Sequence, residues 1–131
     1  MVSEPVIVDG ASVEWEAWPA ALRAQRGGVV WKTLLSGDRT ATDTLTLGVA
    51  TLAPGEVLHE HRHAQAEAYL VLDGTGEVVV DGTPHVVGPD VAVFLPGSCR
   101  HGIRNTGATD LRLAYVLAAD SFADVEYRFE P

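Results

Sequence analysis

The sequence has little cysteine, few basic residues and no long apolar run. Its single cysteine, Cys99, has no partner for an intramolecular disulfide, so nothing in the chain calls for an oxidising compartment. The first residues, Met1 to Pro5, are acidic rather than basic, and no later apolar stretch approaches the roughly 18 to 20 residues of a membrane span. We therefore expect a cytoplasmic protein with no membrane partner.

The shortage of positive charge also limits the partners. Nine basic residues stand against 18 acidic ones, a formal net charge of -9, and such a field repels nucleic-acid phosphates and anionic lipid. We expect no nucleic-acid partner. Arg100, Arg104 and Arg112 are concentrated in one part of the sequence and could present a local positive patch, so an anionic small molecule remains compatible with the chain.

The composition is that of an ordinary folded domain. Hydrophobic residues make up 47% of the 131 residues and charged residues 21%, far from the signature of disorder. We predict one domain, with an N-terminal arm over residues 1–28 and a β-barrel over residues 29–131. The arm is either loose or adds an edge strand through Val6 to Val8 in a neighbouring subunit. A small barrel with such an arm and several tryptophans predicts a homodimer.

Short apolar segments alternate with turn-forming pairs such as Asp73-Gly74 and Asp81-Gly82. This spacing is typical of an all-β sandwich or barrel. The predicted strands are Val29 to Leu35, Thr44 to Leu52, Val57 to His63, Glu67 to Leu72, Glu77 to Val80, Val91 to Leu95, Arg100 to Asn105, Leu111 to Ala118 and Val125 to Phe129. Only Ala17 to Gln25 looks helical, with Pro19 in its first turn.

Two patterns predict which side chains are buried. In the last strand, Val125, Tyr127 and Phe129 share one face, and the polar residues Glu126, Arg128 and Glu130 share the other. The three tryptophans, Trp15, Trp18 and Trp31, are predicted to lie in the core or at an interface.

Histidine is concentrated in one short segment. His59, His61 and His63 are three of only five histidines, and Glu67 follows four residues after the last of them. In an extended chain alternate side chains share a face, so the pattern predicts that all three histidines converge on one point. Imidazoles with one carboxylate suit a divalent transition metal. His101 is a further candidate, in the segment Pro96 to Asn105.

These residues resemble the two motifs of the cupin superfamily. The first motif is matched by Gly55, His61, His63, Glu67 and Gly74 with every spacing met, and the second by Pro96, His101 and Asn105. The resemblance covers roughly Leu45 to Ala118. Two positions depart from the pattern, because Asp90 and Ser98 stand where the second motif has glycine. These changes alter turn geometry rather than a ligand.

The resemblance implies a single-domain cupin jelly-roll barrel with one metal inside, bound by His61, His63, Glu67 and His101. Such a ligand set leaves two positions of an octahedral ion open for water or substrate, which indicates a catalytic site. The ion would be Fe2+, Zn2+, Ni2+ or Mn2+. His59 is then expected to line the cavity mouth or to support a ligand from outside.

Other residues near these motifs have two interpretations each. Tyr69 shares a strand face with Glu67 and is either a general base or a packing residue. Tyr115 is expected to line the cavity or belong to the core, and Arg104 to reach the substrate pocket. Asn105 is expected to hold the strand after His101 by hydrogen bonds. Cys99 is predicted to be a small buried side chain without a catalytic role, and His85 a surface residue.

Within the superfamily, the chain resembles the dimethylsulfoniopropionate lyases through Glu67-Ala68-Tyr69, His101 to Asn105 and Val125 to Phe129. It also resembles the polyketide cyclases through Arg26-Gly27-Gly28 and Gly48 to Gly55. Both groups imply non-redox, metal-assisted acid-base chemistry on a small oxygen-rich substrate, with Tyr69 as candidate base. Two alternatives stay open at this point, an Fe(II)-dependent dioxygenase with the same ligands and a barrel that binds a small molecule without turnover.

Overall fold

The computed structural model describes residues 2–129 and is built mainly of strands that form two antiparallel sheets. The six-stranded sheet has the order β1-β2-β3-β10-β5-β8 and the five-stranded sheet the order β11-β4-β9-β6-β7. The strands are β1 Glu16–Ala17, β2 Val30–Leu35, β3 Thr46–Leu52, β4 Val57–Arg62, β5 Glu67–Asp73, β6 Gly76–Val80, β7 Thr83–Val87, β8 Ala92–Leu95, β9 His101–Asn105, β10 Leu111–Leu117 and β11 Arg128–Phe129. The all-β jelly-roll prediction is confirmed.

The helical prediction over Ala17 to Gln25 is wrong for its first three residues, while residues 20–25 form a 3-10 turn and part of a short helix. Ala17 belongs to β1 and pairs with Val30, and Pro19 has an extended backbone with ψ 144°. Only a 3-10 turn at Ala20–Leu22 and the four-residue helix α1, Arg23–Arg26, follow. Two further 3-10 turns lie at Gly10–Ser12 and Phe122–Asp124. No helical segment in residues 2–129 has the length and apolar character that crossing a membrane requires.

The strand between residues 83 and 87, β7, was not predicted. It pairs with β6 through a two-residue turn in which Asp81 has φ 47° and Gly82 has φ 81°. Positive φ at both central residues is the type I′ geometry that joins tight hairpins, and Asp-Gly is a preferred sequence for it. The Asp81-Gly82 pair was therefore the sequence signal from which β7 could have been predicted. His85 lies on this strand and is exposed, as expected.

The terminal segments form less sheet than predicted. At the C-terminal end only Arg128 and Phe129 pair with β4, although Val125 is buried, Tyr127 and Phe129 are partly buried, and Glu126 and Arg128 are exposed as the alternation predicts. Glu130 lies outside the described residues. Residues 6–8 form no strand with this chain, and their pairing with another subunit stays a prediction.

The core lies between the two sheets and follows the strand alternation. Along β10 the side chains of Leu111, Leu113, Tyr115 and Leu117 are all buried, which is the inward parity that the sequence predicts. Fully burying one leucine side chain contributes roughly 1.5–3 kcal/mol. This apolar layer holds the two sheets together around the polar cluster described below.

Asp90 and Ser98 adopt the backbone conformation that glycine prefers. Their φ angles are 69° and 65°, in the left-handed region where an ordinary side chain costs about 1–2 kcal/mol. The turns keep the geometry that the family pattern assigns to glycine at these positions. The amide of Ser98 also donates a hydrogen bond of 2.8 Å to the carbonyl of His63 and so ties this turn to the histidine segment.

A β-bulge interrupts the pairing of β4 with β9. Leu58 pairs with Ile103 and His61 with His101, so His59 and Glu60 together face the single residue Gly102. A bulge inserts one residue and reverses the alternation beyond it. Leu58 and His61, three residues apart, therefore both point inward.

Gly102 is required where the bulged strand approaches. A Cβ atom at this position would lie 2.8 Å from the carbonyl oxygen of Leu58 and 3.0 Å from the amide nitrogen of Glu60. Both contacts are shorter than a carbon atom tolerates next to backbone. The bulge, together with the glycine opposite it, therefore orients the side chain of His61 into the barrel.

Candidate metal centre

Four side chains predicted as ligands meet inside the barrel. His61 lies on β4, His63 directly after it and His101 at the start of β9, while Glu67 begins β5 of the facing sheet. Their exposures are 1%, 3%, 1% and 5% respectively. The ligand-type nitrogens of the three histidines lie within 4.8 Å of one another. A carboxylate from one sheet thus faces three imidazoles from the other.

The backbone sets the tautomer of each histidine. The Nδ1 atoms of His61, His63 and His101 lie 2.7, 3.0 and 3.0 Å from the carbonyl oxygens of residues 59, 65 and 99. A carbonyl oxygen only accepts, so each neutral ring carries its proton on Nδ1 and donates it there. Each Nε2 atom is left with a free lone pair, which is the form that binds metals.

Without a shared cation, these lone pairs face unsuitable neighbours. The Glu67 Oε1 atom lies 3.1 Å from Nε2 of both His63 and His101. The Nε2 atom of His61 is buried and has no hydrogen-bond partner among residues 2–129. Acceptors directed at one another in a dry site need a proton or a cation between them. The donor set and its geometry therefore fit a divalent metal ion.

Burial and the neighbouring rings also keep His61 neutral. Desolvation, followed by the charge of His101, lowers the pKa of His61 from 6.5 to about 3. Burial alone would raise the pKa of Glu67, but its contacts with Nε2 of His101 and His63 hold it below its usual value when those atoms carry a proton, the position that a cation would take. The site at neutral pH thus combines a neutral imidazole with an ionised carboxylate, the protonation states that a metal requires.

A narrow cavity adjoins this cluster, and about 40 Å³ of it is open to molecules the size of water. This is room for a very small number of waters. The walls are apolar and aromatic apart from Glu67 and the tyrosine hydroxyls, and they are formed by Trp18, Val29, Trp31, Ala50, Leu52, Leu58, Glu67, Tyr69, Ile103, Leu113, Tyr115, Phe122 and Tyr127. Such walls exclude bulk water from the cluster.

Two buried tyrosines, Tyr69 and Tyr115, and the partly buried Tyr127 line this cavity. Burial raises the pKa of Tyr69, Tyr115 and Tyr127 above 10, and the negative charge of Glu67 adds to the effect in each case. Neutral phenols therefore surround the histidines. The ring of Tyr127 lies 5.2 Å from that of His61 and 5.4 Å from that of His63. Sequence reasoning missed Tyr127 as a site residue, although its alternation with Glu126 and Arg128 already predicted an inward side chain.

The prediction that His59 shares the inward face is wrong. Because of the bulge, its side chain is exposed and lies along an outer groove with Arg100 and Arg104. His59 nevertheless supports the cluster through its backbone, since its carbonyl oxygen accepts the hydrogen bond from His61.

The expected position of Arg104 in the substrate pocket is also wrong, since Arg104 is exposed and does not line the cavity. Its Nε atom lies 2.8 Å from Oε1 of Glu77, and Arg100 lies 3.1 Å from Glu60. Two of the three arginines are thus neutralised by carboxylates instead of forming an unbalanced positive patch. The third, Arg112, is exposed on β10.

The remaining candidates have structural positions. The amide of Asn105 donates 2.8 Å hydrogen bonds to the carbonyls of Leu52 and Thr109 and accepts one from Gly107, so it holds the end of β9 as expected. Cys99 is partly buried against the core, and burial raises the pKa of its thiol.

The tryptophans differ in their burial. Trp31 is 9% exposed and belongs to the core, and Trp18 is packed against it. Trp15 is 47% exposed, with the Lys32 ammonium 4.8 Å above its ring. The core position is therefore confirmed for Trp31, while Trp15 lies outside the core and its place at an interface stays a prediction.

Comparison with known proteins identifies similar chains. The Cupin domain family model matches residues 48–117. The chain is 44% identical over 103 residues to dimethylsulfoniopropionate lyase DddW of Ruegeria pomeroyi, covering 79% of this chain and 67% of that one. It is 32% identical over 95 residues to polyketide synthase CurC of Streptomyces cyaneus, covering 72% of this chain and 61% of that one.

A solved structure has the same architecture. The polyketide cyclase RemF from Streptomyces resistomycificus superposes with a TM-score of 0.75 and covers 96% of this chain and 85% of that one. The two sequences are 20% identical, so this likeness concerns the fold alone.

Proposed function

Because this chain belongs to the Cupin domain family, we propose that it is a metal-dependent enzyme of non-redox acid-base chemistry, a lyase, cyclase or isomerase. The observation that carries the proposal is the cluster of three buried histidine nitrogens within 4.8 Å of one another, with an ionised Glu67 3.1 Å from two of them. The similarity to a dimethylsulfoniopropionate lyase and to a polyketide synthase protein supports the reaction class.

His61, His63, His101 and Glu67 would hold one divalent ion. When bound, such an ion supplies Lewis acidity toward a substrate oxygen, which makes a neighbouring C–H or O–H proton more acidic. The protein supplies the rest through rings whose orientation the backbone sets and through a cavity that excludes water. The cluster therefore needs little reorganisation as charge develops on the substrate.

Tyr69 is the residue that we assign to proton transfer. It is 4% exposed, lines the cavity and lies two residues after Glu67 on the same face of β5. Burial raises the pKa of this phenol well above 10, so in the resting site it holds its proton. Removing a substrate proton would require the phenolate, which a nearby cation favours.

The cavity favours a small substrate. Its open space of about 40 Å³ is far below that of a pocket for a multi-ring compound, typically about 300–1,000 Å³. Elimination is therefore the first reaction to test. In it the base takes a proton from carbon, the C–H electrons form a C=C bond and the leaving group departs with its electron pair.

Metal analysis of matched variants tests the site. We expect about one divalent ion per chain in the purified protein, loss of that ion in His61→Ala and His101→Ala, and retention in His85→Ala, whose histidine is exposed on β7. Unchanged metal content in both inner variants would remove the proposed centre.

Turnover assays then separate the reaction classes. Dimethylsulfoniopropionate and small hydroxy- and keto-carboxylates are incubated with the metal-loaded protein while oxygen is recorded. Product without oxygen uptake, lost in Tyr69→Phe at unchanged metal content, supports the acid-base assignment. Oxygen consumption by the iron form would establish a dioxygenase instead, and ligand-dependent thermal shifts without product would indicate a binding protein.

A further inference from the structure

Buried hydrogen-bond donors without acceptors lie beside the aromatic part of the cavity. The indole Nε1 atoms of Trp18 and Trp31 and the Nε atom of Arg26 are all shielded from solvent, and none has a hydrogen-bond partner within residues 2–129. Leaving such a donor unpaired costs about 1–3 kcal/mol. Buried donors in native proteins are nearly always paired, so these call for an acceptor from outside the chain.

The donors belong to one compact cluster. The rings of Trp18 and Trp31 are 4.9 Å apart, and the Arg26 guanidinium carbon lies 4.6 Å from the Trp18 ring and 4.8 Å from the Phe129 ring. Both tryptophans line the inner cavity and also an outer groove of the surface, which Arg26 shares. An oxygen atom of a molecule bound beside these tryptophans would therefore be the acceptor for the unpaired donors.

Tyr127 links this cluster to the histidines. Its ring lies 5.4 Å from that of Trp18 and 5.2 Å from that of His61. Because Tyr127 lines both the cavity and the outer groove, a small molecule beside it would have one end at the histidines and the other in the groove at the tryptophans. The histidine cluster and the donors of the tryptophan cluster are therefore positioned to bind the two ends of one substrate.

Arg26 is the groove arginine that no carboxylate of the described chain pairs. Two carboxylates, Glu16 and Asp38, also line the outer groove, but both are engaged by Arg39, at 2.8 and 3.7 Å. Arg26 has no ion pair among the described contacts of residues 2–129. Its guanidinium stacks on aromatic rings, where it keeps its full charge and attracts an oxyanion.

We propose that Trp18, Trp31 and Arg26 form a subsite for a carboxylate, so that the substrate is a small compound with two oxygen-bearing ends. The inference rests on the proposed function, because the other end belongs at the histidine cluster. A dialkylsulfonium group at the subsite would leave both indole N–H groups unpaired and place a cation beside Arg26. Dimethylsulfoniopropionate has one carboxylate, which could occupy either the subsite or the histidine cluster but not both.

Binding of two ligands matched in length tests the subsite. Calorimetry with succinate and with butyrate compares a second carboxylate with a methyl group, on metal-loaded and on metal-stripped protein. We expect wild-type protein to bind succinate at least about tenfold more tightly, since a hydrogen bond to a charged group is worth roughly that factor. Trp18→Phe and Arg26→Gln each remove most of the preference, in both forms of the protein.

Control variants keep the test decisive. Trp15→Phe changes an exposed tryptophan outside both cavities and leaves the preference intact. Trp31 lies in the core, and Trp31→Phe tests the subsite only if this variant folds. Trp18 is partly buried, so Trp18→Phe provides the result in either case. Equal affinities for the two ligands, or an undiminished preference in Trp18→Phe, would overturn the subsite.

The outcome is separable from that of the proposed function. Metal retained in both His61→Ala and His101→Ala contradicts the proposed centre, whatever succinate does. Efficient turnover of dimethylsulfoniopropionate, unaffected by Trp18→Phe, supports the proposed chemistry and overturns the subsite alone.

Discussion

The two faces of the β4–β9 strand pair carry similar residue types in opposite arrangements. On the outer face, Arg104 lies 2.8 Å from Glu77 and Arg100 lies 3.1 Å from Glu60, and all four side chains are at least 23% exposed. On the inner face, three buried imidazoles cluster together, and two of them turn Nε2 toward one carboxylate in a dry site. The outer charges are satisfied by their neighbours, whereas the inner cluster is satisfied only by an added cation. Burial, rather than residue type, separates a structural ion pair from a reactive site.

The largest expected effect concerns acid and the inner face. Because the pKa of His61 falls from 6.5 to about 3 on folding, the unfolded chain takes up a proton there that the folded chain does not. Between pH 6.5 and 3, the free energy of unfolding of the metal-free protein should fall by about 1.4 kcal/mol per pH unit from this group. Glu67, whose pKa is lowered on folding, adds to the loss below its unfolded value of 4.5.

Urea denaturation as a function of pH, with chelator present, measures this slope. His61→Gln should flatten it between pH 6.5 and 5, whereas His85→Gln on the outer surface should leave it unchanged. Equal slopes for wild type and His61→Gln would contradict the assignment of a neutral, buried His61.

The next effect concerns the bulge that separates the two faces. Gly102→Ala places a Cβ atom 2.8 Å from the Leu58 carbonyl, and the resulting backbone shift should lower the free energy of unfolding by about 2 kcal/mol. It should also weaken metal binding, since the bulge aims His61. Gly88→Ala is the matched control, because its Cβ atom would meet nothing nearer than 3.8 Å. Similar losses of unfolding free energy and metal binding in the two variants would show that the bulge is no more sensitive to an added methyl group than the Gly88 position.

The smallest effect is expected on the outer face. The side chains of Arg104 and Glu77 are 47% and 23% exposed, and such surface pairs contribute a few tenths of a kcal/mol, at most about 1. A double-mutant cycle with Arg104→Ala and Glu77→Ala measures the coupling. Metal content should stay unchanged in all three variants. A coupling above about 2 kcal/mol, or a loss of metal, would remove the distinction between the faces.

Sequence reasoning located the cluster because its ligands sit at spacings that few other folds require. His61, His63 and Glu67 lie on one segment, and His101 follows from the second motif. The strands that carry them were predicted because alternating burial and glycine-containing turns are local signals. The family motif identified Asp90 and Ser98 as positions where glycine is usual, but the expectation that they alter turn geometry is wrong, because both keep the positive φ angles of glycine.

What failed depended on contacts between distant segments. The alternation rule assigned His59 to the inner face, and only the pairing of β4 with β9 reveals the bulge that turns it outward. Ala17 was predicted to be helical, yet strand pairing with Val30 decides its conformation. The inward position of Tyr127 could be predicted, but its contact with His61 depends on how the chain end docks beside β4.

The hydrogen bonds that orient the three imidazoles end on main-chain carbonyls two positions away, at residues 59, 65 and 99. Point mutation replaces side chains and leaves these carbonyls in place. The side chains at these flanking positions can therefore change during evolution without altering the orientation of the imidazole rings, because the path of the backbone sets that orientation. A protein engineer has the same freedom, since positions 59, 65 and 99 can be varied to reshape the surroundings without rebuilding the coordinating geometry.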